Sequence, residues 1–305
     1  MKRIAYKGWK NCLRLANKQI ELIVTGDVGP RVIHMGLPGG QNEFYADPKA
    51  LGKTGGNAWR LYGGHRLWHA PEIQPRTYAP DNDPIEFERH PGFVRTIQPV
   101  EKTTGIQKEL DFALDPKRPL VRITHRLTNK NSWAIELAPW ALSVMASGGT
   151  CIFPLPERIP FPKRLLPHNH LTLWSYVDMA DPRWTWGRRY ILLRQDQGAK
   201  EPQKIGSSVH DGWAAYANGG RLFVKFFDWC PGAQYPDFGC NFETYTNKDM
   251  LEVETLGPLT KLEPGASVEH TERWALFKGV PEPRSDDDVE KHVAPKVREA
   301  RKFFR

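Results

Sequence analysis

No stretch of the 305 residues approaches the roughly 20 continuous apolar residues that a membrane helix needs. The opening MKRIAYKGWKNCLRL carries positive charge but neither an apolar core nor a small-residue cleavage site, so no secretory leader is expected. Cysteine is scarce. Cys12, Cys151, Cys230 and Cys240 have neither CxxC nor zinc-ligand spacing. Cys230 and Cys240 are near enough to pair across a hairpin, but reduced thiols are the expectation for a cytoplasmic chain. There is no GxSxG elbow, no GxxxxGK[ST] phosphate loop and no GxGxxG after a strand; GKTGG at 52–56 has the wrong spacing. Serine hydrolysis and nucleotide chemistry are therefore without support. The charge balance is +8, yet the basic residues are scattered apart from the tail. A nucleic-acid footprint would need them clustered on one face, so neither nucleic acid nor membrane is an expected partner.

Helix signals are nearly absent too, and what replaces them is informative. The 26 glycines and 26 prolines punctuate short runs with period-two alternation. Strands are expected at Gln19–Val24, Arg31–Met35, Val94–Val100, Ile106–Leu114, Leu120–Leu127, Ser132–Pro139, Leu222–Phe227 and Ser267–Phe277. Val121, Ile123, His125 and Leu127 share one face; Trp133, Ile135 and Leu137 resume the alternation after Asn129–Asn131, which reads as a hairpin. At ~150 residues per domain the length suggests two, but all-β domains run to about 250 as one unit. The reading is a single antiparallel β-sandwich over 1–280 and a helical tail over 281–305, capped by Ser285 or a neighbouring Asp and interrupted at Pro295. The Pro-, Arg- and Lys-rich stretch 154–170 reads as a long loop crossing the sandwich, and loops of that length are usually functional.

Three constellations carry chemistry. In YGGHRLWHAPE (62–72), strand alternation puts His65, Leu67 and His69 on one face and Arg66 and Trp68 on the other, with Glu72 just beyond. A polar ligand cleft, a hairpin of satisfied buried histidines, and a zinc site from His65, His69 and Glu72 all remain open. In 228–258, Glu243 lies in FETYT, while Glu252 and Glu254 share a face of LEVET. A carboxylate held on a rigid strand in a cleft is how a general base is presented, although alternating Glu also describes a solvated face. Asp237 and Asn241 add hydroxyl-binding capacity. In LWSYVDMADPRWTWGRRY, Trp174, Trp184 and Trp186 stand beside Arg183, Arg188 and Arg189, which suits a sugar face or a structural Arg–Trp stack. The 11 tryptophans fit either use, since a flat apolar ring matches the C–H side of a pyranose. Lys204, His210, Trp213 and Lys225 are single candidates.

The order of these features resembles the galactose mutarotase-like (aldose 1-epimerase) superfamily, in a bacterial branch. Gly29, Arg31 and Val32 stand where that group has x-G-x-R-V/I, and GGHRLWHAPE falls at its first sugar-site turn. Leu127, Thr128 and Asn129 match its L-T-N segment. Glu254 stands for its catalytic Glu before an L-x-P-G turn, matched by Leu262, Pro264 and Gly265. The resemblance spans most of Ala5 to Phe277. It implies the supersandwich fold, no metal or organic cofactor, and interconversion of aldose anomers, with a base taking the anomeric proton and an acid protonating the ring oxygen. One departure is sharp: where the group carries its acid His, this chain reads WALSVMASGG (140–149). The implied site is Glu254 as base with Glu243 second, His65 or His69 as acid, and Arg31, Arg66, Trp68, Glu72, Trp174, Arg183, Lys204, Trp213, Lys225 and Asp237 around a small sugar or oligosaccharide. The alternatives are a non-catalytic carbohydrate-binding module, or a polysaccharide lyase or hydrolase in the same cleft. The oligomeric state is left open.

Overall fold

The computed structural model describes residues 2–304. Strands follow in the order β1 (Lys2–Tyr6), β2 (Trp9–Ala16), β3 (Glu21–Thr25), β4 (Arg31–Gly36), β5 (Gly64–Ala70), β6 (Glu86–His90), β7 (Phe93–Ile97), β8 (Ile106–Leu114), β9 (Leu120–Asn129), β10 (Ile135–Met145) and β11 (Thr150–Pro154). Then come β12 (Leu171–Leu173), β13 (Trp184–Trp186), β14 (Tyr190–Arg194), β15 (Gln203–Ser207), β16 (Trp213–Asn218), β17 (Arg221–Phe226), β18 (Phe242–Thr246), β19 (Leu251–Leu256), β20 (Thr260–Leu262) and β21 (Ser267–Lys278). A helical segment follows: α1 (Asp286–Asp288), a π-helical stretch (Val289–Val293) and α2 (Ala294–Arg301).

The strands form two antiparallel sheets. One runs β1-β2-β3-β4-β5-β10-β19-β18-β15-β12, with β20 paired to β10; the other runs β13-β14-β11-β16-β17-β21-β9-β8-β7-β6. Their facing sides interlock through one apolar core that includes Leu67, Phe112, Ile123, Phe223, Val253 and Trp274. Burying side chains of this size is worth about 1.5–3 kcal/mol each. Phe44 and Phe223 meet the Trp274 ring edge-on at centroid distances of 5.7 and 5.5 Å, the geometry that aromatic quadrupoles favour.

The expected hairpin across Asn129–Asn131 does not form. β9 lies in the ten-stranded sheet and β10 in the eleven-stranded one, so the turn is a corner between layers. Asn129 makes that corner: its Nδ2 donates to the carbonyls of Trp133 and Leu262, and its Oδ1 accepts from the Asn131 N–H. Residues 155–170 hold no strand or helix and carry the chain from β11 in one sheet to β12 in the other.

The tail packs onto the sandwich. Val289, Val293, Val297 and Ala300 pack on the outer face of the ten-stranded sheet with Trp213, Leu222 and Val224, adding a third layer. Ser285 caps it, accepting from the Asp288 N–H at 3.2 Å. Pro295 does not break the segment. It falls in the first turn of α2, where its missing N–H is least costly, and the π-helical stretch precedes it. Met1 and Arg305, the ends of the two expected spans, lie outside the described residues.

Strands β4, β5, β10 and β19 are buried on both faces apart from the start of β10. Since the ten-stranded sheet covers only one face, something else roofs the other. That roof marks the candidate site.

Candidate carbohydrate cleft

Register fixes which side chains meet on the roofed face. Trp68 is paired with Trp140, Arg66 with Leu142, and Leu142 in turn with Glu254 across β10 and β19. Glu254 faces Glu243, Glu252 faces Tyr245, and Tyr245 faces Lys204. Directly paired residues project to the same side. One face of five adjacent strands therefore presents Arg66, Trp68, Trp140, Glu254, Glu252, Glu243, Tyr245 and Lys204.

An apolar floor of Trp68, Trp140, Leu142 and Leu256 is backed by Trp59 and Tyr78 from the loops before and after β5. Trp68 lies 5.4 Å from Trp140 and 5.0 Å from Tyr78, ring centre to ring centre. The Arg66 guanidinium stacks 4.0 Å over Trp68 and 5.2 Å from Trp59. Trp174, just past β12, completes the roof: the Lys204 ammonium sits 4.6 Å from its ring and 4.9 Å from that of Trp140.

The charged groups are almost free of solvent. Exposure is 0% for Glu243 and Glu254, 8% for Glu252, 5% for Lys204 and 3% for Arg66. Lys204 Nζ holds Glu243 at 2.8 Å and Glu254 at 3.3 Å. Trp140 Nε1 donates to Glu254 at 2.9 Å. Arg66 Nη2 reaches Glu252 at 3.4 Å. Burial alone would lower the Lys204 pKa, but Glu243 and Glu254 outweigh it and hold the ammonium well above its ordinary value. Burial, reinforced by the neighbouring Glu254 charge, pushes Glu252 up to about 7. Glu243 rises well above the carboxylate range for the same two reasons, against the pull of Lys204. Glu254 Oε1, Arg66 Nε and Arg66 Nη1 are buried without a hydrogen-bond partner in the protein. Unsatisfied buried polar atoms are costly and ask for a partner.

Not all sequence candidates meet here. His65 and His69 point to the opposite side of β5, into the inter-sheet core, as strand alternation requires. His65 contacts Ser143 at 2.9 Å and His125 at 2.7 Å; His125 Nδ1 donates to the His270 carbonyl. Burial drives His65 well below its ordinary value and His125 and His270 down to about 3, so all three are neutral at pH 7. His69 lies 3.8 Å from Glu101, which is paired with Lys108. None of these imidazoles faces the cleft. The zinc set of His65, His69 and Glu72 does not assemble, because Glu72 is exposed on the far side, accepting from Tyr78.

Lys225 is also in the core, 2.9 Å from both Glu272 and the Val253 carbonyl. His65, His125 and Glu272 offer ligand atoms close together, but Lys225, Thr255 and Trp274 already satisfy both Glu272 oxygens. Trp213 lies under the C-terminal helix. Arg183 is consumed by Asp181 and the Glu201 carbonyl. Arg31 has no exposed side-chain surface and holds the turn before β5 through the Leu61 and Gly63 carbonyls and Asp81. Asp237 is half-buried at the rim, its negative charge adding to the rise at Glu243. Trp59, Tyr78, Trp140 and Tyr245 were missed as site residues. Trp140 had a signal, standing where the resemblance expects the acid.

A cavity of about 860 Å³ lies elsewhere, between Pro154–Arg158 and the start of the helical tail. Of the arginines that line it, Arg189 pairs with Asp287 and Glu290, and the backbone N–H groups of Arg188 and Arg189 donate to Asp286. It lacks the cleft's aromatic floor.

No protein-family model matches the chain, and no curated relative is similar in sequence. Solved structures do match. A galactose mutarotase-like protein from Lactobacillus casei superposes with a TM-score of 0.54 at 9% identity, over 88% of this chain and 100% of that one. The fold is galactose mutarotase-like. A galactose mutarotase related enzyme from Lactobacillus acidophilus agrees at TM-score 0.52 and 9% identity, over 90% and 99% of the two chains. A TPR-domain containing protein from Parabacteroides distasonis matches at TM-score 0.58 and 13% identity, over 89% of this chain and 48% of its own; the chain thus spans about half of that protein. At such identities the likeness establishes architecture, and residue roles must come from the cleft itself. Among the described residues no helix is long and apolar enough to cross a membrane.

Proposed function

We propose that the cleft binds a carbohydrate and interconverts the anomers of an aldose, with Glu254 as the base. The observation that carries this reading is the environment of Glu254. Its carboxylate is fully buried beside a tryptophan floor, held by Trp140 Nε1 and Lys204, with Oε1 unpartnered. A fixed, desolvated carboxylate is what removal of an anomeric hydroxyl proton requires. Trp68 and Trp140, 7% and 2% exposed, line the site beside it, and Arg66 retains two unpaired nitrogens for hydroxyls. Glu243 anchors Lys204 and acts through it rather than as a second base. The four free cysteines, one of them exposed, fit a reducing cytoplasmic setting.

The test is anomeric exchange by NMR on a panel of aldoses, for the protein and for Glu254→Gln. Catalysed exchange that falls by at least about 100-fold in the variant supports the reading. Exchange at the uncatalysed rate for every sugar overturns it. Trp140, in the place the resemblance gives to the acid, favours a second reading: a binding module without turnover. Saturable sugar binding with no exchange in the same experiment would identify it.

A further inference from the structure

Anomer interconversion needs an acid as well as a base, and the five strands present no imidazole to the cleft; His170, from the loop before β12, is turned to Cys240 at the Glu243 end. This inference rests on the function proposed above. The groups facing Glu252 are Arg66 from β5, Glu72 from the segment beyond it, Glu254 on its own strand, Tyr245 from β18 and Lys204 from β15; β10 offers the apolar Val144, and Tyr78 lies beside Glu72 and Arg66. Arginine is too weak an acid to give up its proton. Lys204 is locked in its charged form by two carboxylates at 2.8 and 3.3 Å. Tyr245, Tyr78 and Tyr176, the last beside Lys204 and Glu254, are all made weaker acids by burial.

The carboxylates remain. The buried part of the site holds three of them, Glu243, Glu252 and Glu254, against two cations, Lys204 and Arg66. An unbalanced charge in a nearly dry site is neutralised by a proton. The partners indicate where it resides. Glu254 accepts from Trp140 and Lys204. Burial raises both Glu243 and Glu252, but Glu243 has no exposed surface and lies against Lys204 at 2.8 Å. Glu252 has only a long 3.4 Å contact to Arg66 and keeps 8% of its surface, so it is the one of the two that a substrate atom can meet. We infer that Glu252 is the general acid of the cleft, a carboxylic acid paired with the Glu254 carboxylate two residues along the same face of β19. Its rise to about 7, caused first by burial and then by the Glu254 charge, matches that role.

Positions two apart on a strand are separated by roughly 6.5 Å along the backbone, enough for two carboxyl groups to flank O1, C1 and O5 of a pyranose. Glu254 takes the proton from the anomeric hydroxyl as the C1–O5 bond breaks, and Glu252 gives its proton to O5. The open-chain aldehyde and a 5-hydroxyl result. Rotation about C1–C2 presents the other carbonyl face. O5 then attacks C1, returning its proton to Glu252, and Glu254 returns the first proton to O1. Nothing is oxidised, and both carboxyl groups end as they began.

The deciding experiment pairs a readout independent of turnover with one that depends on it. The Glu252 carboxyl is followed by ¹³C NMR across pH in the wild type and in Glu254→Gln; anomeric exchange is measured against pH in the wild type, Glu252→Gln and Glu252→Asp. Glu252 is expected to titrate near 7 and to move down by a unit or more once the Glu254 charge is gone. Glu252→Gln should lower kcat by about 100-fold or more with sugar affinity nearly kept, and should lose the alkaline limb of the rate profile; Glu252→Asp should recover part of both. Titration at the ordinary value of about 4.3, or wild-type exchange that survives Glu252→Gln with its alkaline limb intact, overturns the acid assignment and leaves Glu254 as base. A wild type that catalyses no exchange overturns the underlying function and the acid role together.

Discussion

Replacing Lys204 by Met tests the electrostatics on which the whole cleft depends. The substitution keeps most of the aliphatic stem and removes the single ammonium that separates Glu243 from Glu254, both without solvent exposure. Deleting one partner of a buried ion pair typically costs about 3–5 kcal/mol, because the other charge is left uncompensated. With an unfolding entropy of about 2.1 cal/mol/K per residue, a chain of 305 residues should lose roughly 5–8 °C in Tm at pH 8. The deficit must shrink on acidification. Lys204 is what pulls the raised Glu243 down. Without the ammonium Glu243 binds its proton still more tightly in the folded than in the unfolded chain, so the folded state gains on the unfolded one as pH falls toward the unfolded carboxylate value of ~4.3. Adding Glu243→Gln to Lys204→Met should recover part of the loss at pH 8, since one of the two like charges then disappears. Scanning calorimetry or chemical unfolding at pH 5 and pH 8 measures all of this. A Lys204→Met protein with wild-type Tm at pH 8, or a deficit independent of pH, would refute the picture of two carboxylates bridged by one cation.

Two further outcomes are expected. In the wild type, the raised Glu252 stabilises the fold at acid pH, where the folded chain keeps its proton. That contribution is lost as pH rises from about 4.3 toward about 7, so Glu252→Gln should flatten the stability profile over that window by an amount on the order of 3 kcal/mol; a profile unchanged by the substitution would contradict the assignment. Glu272→Gln should destabilise by about 3–5 kcal/mol, because it strands Lys225 between the sheets, while sugar affinity in an equilibrium titration stays within a few-fold of wild type; a selective loss of affinity would place the core network in the ligand site after all.

Much of this was legible in one dimension. Alternation at period two placed His65 and His69 opposite Arg66 and Trp68, and Glu252 beside Glu254, before any coordinates. It could not say which of the two faces was the core. The sequence reading therefore put His65 and His69 into the ligand cleft, whereas packing puts them against β8, β9 and β21. Lys225 and Trp213 failed for the same reason: packing turns Lys225 into the inter-sheet core and Trp213 outward under the C-terminal helix. The corner at Asn129 was read as a hairpin because a turn between two alternating runs looks identical whether the chain stays in its sheet or leaves it.

Sequence alone determined the β character, the strand spacing and the parity of each side chain, because these follow from local backbone geometry and turn chemistry. Tertiary structure alone decided which parities meet. Glu254, Glu243 and Lys204 come together only through the β15–β18–β19 register, and Trp140 joins them only because β10 lies between β5 and β19. The same juxtaposition places three carboxylates against two cations away from water, and so raises Glu243 and Glu252 in a way that no reading of FETYT or LEVET could have assigned.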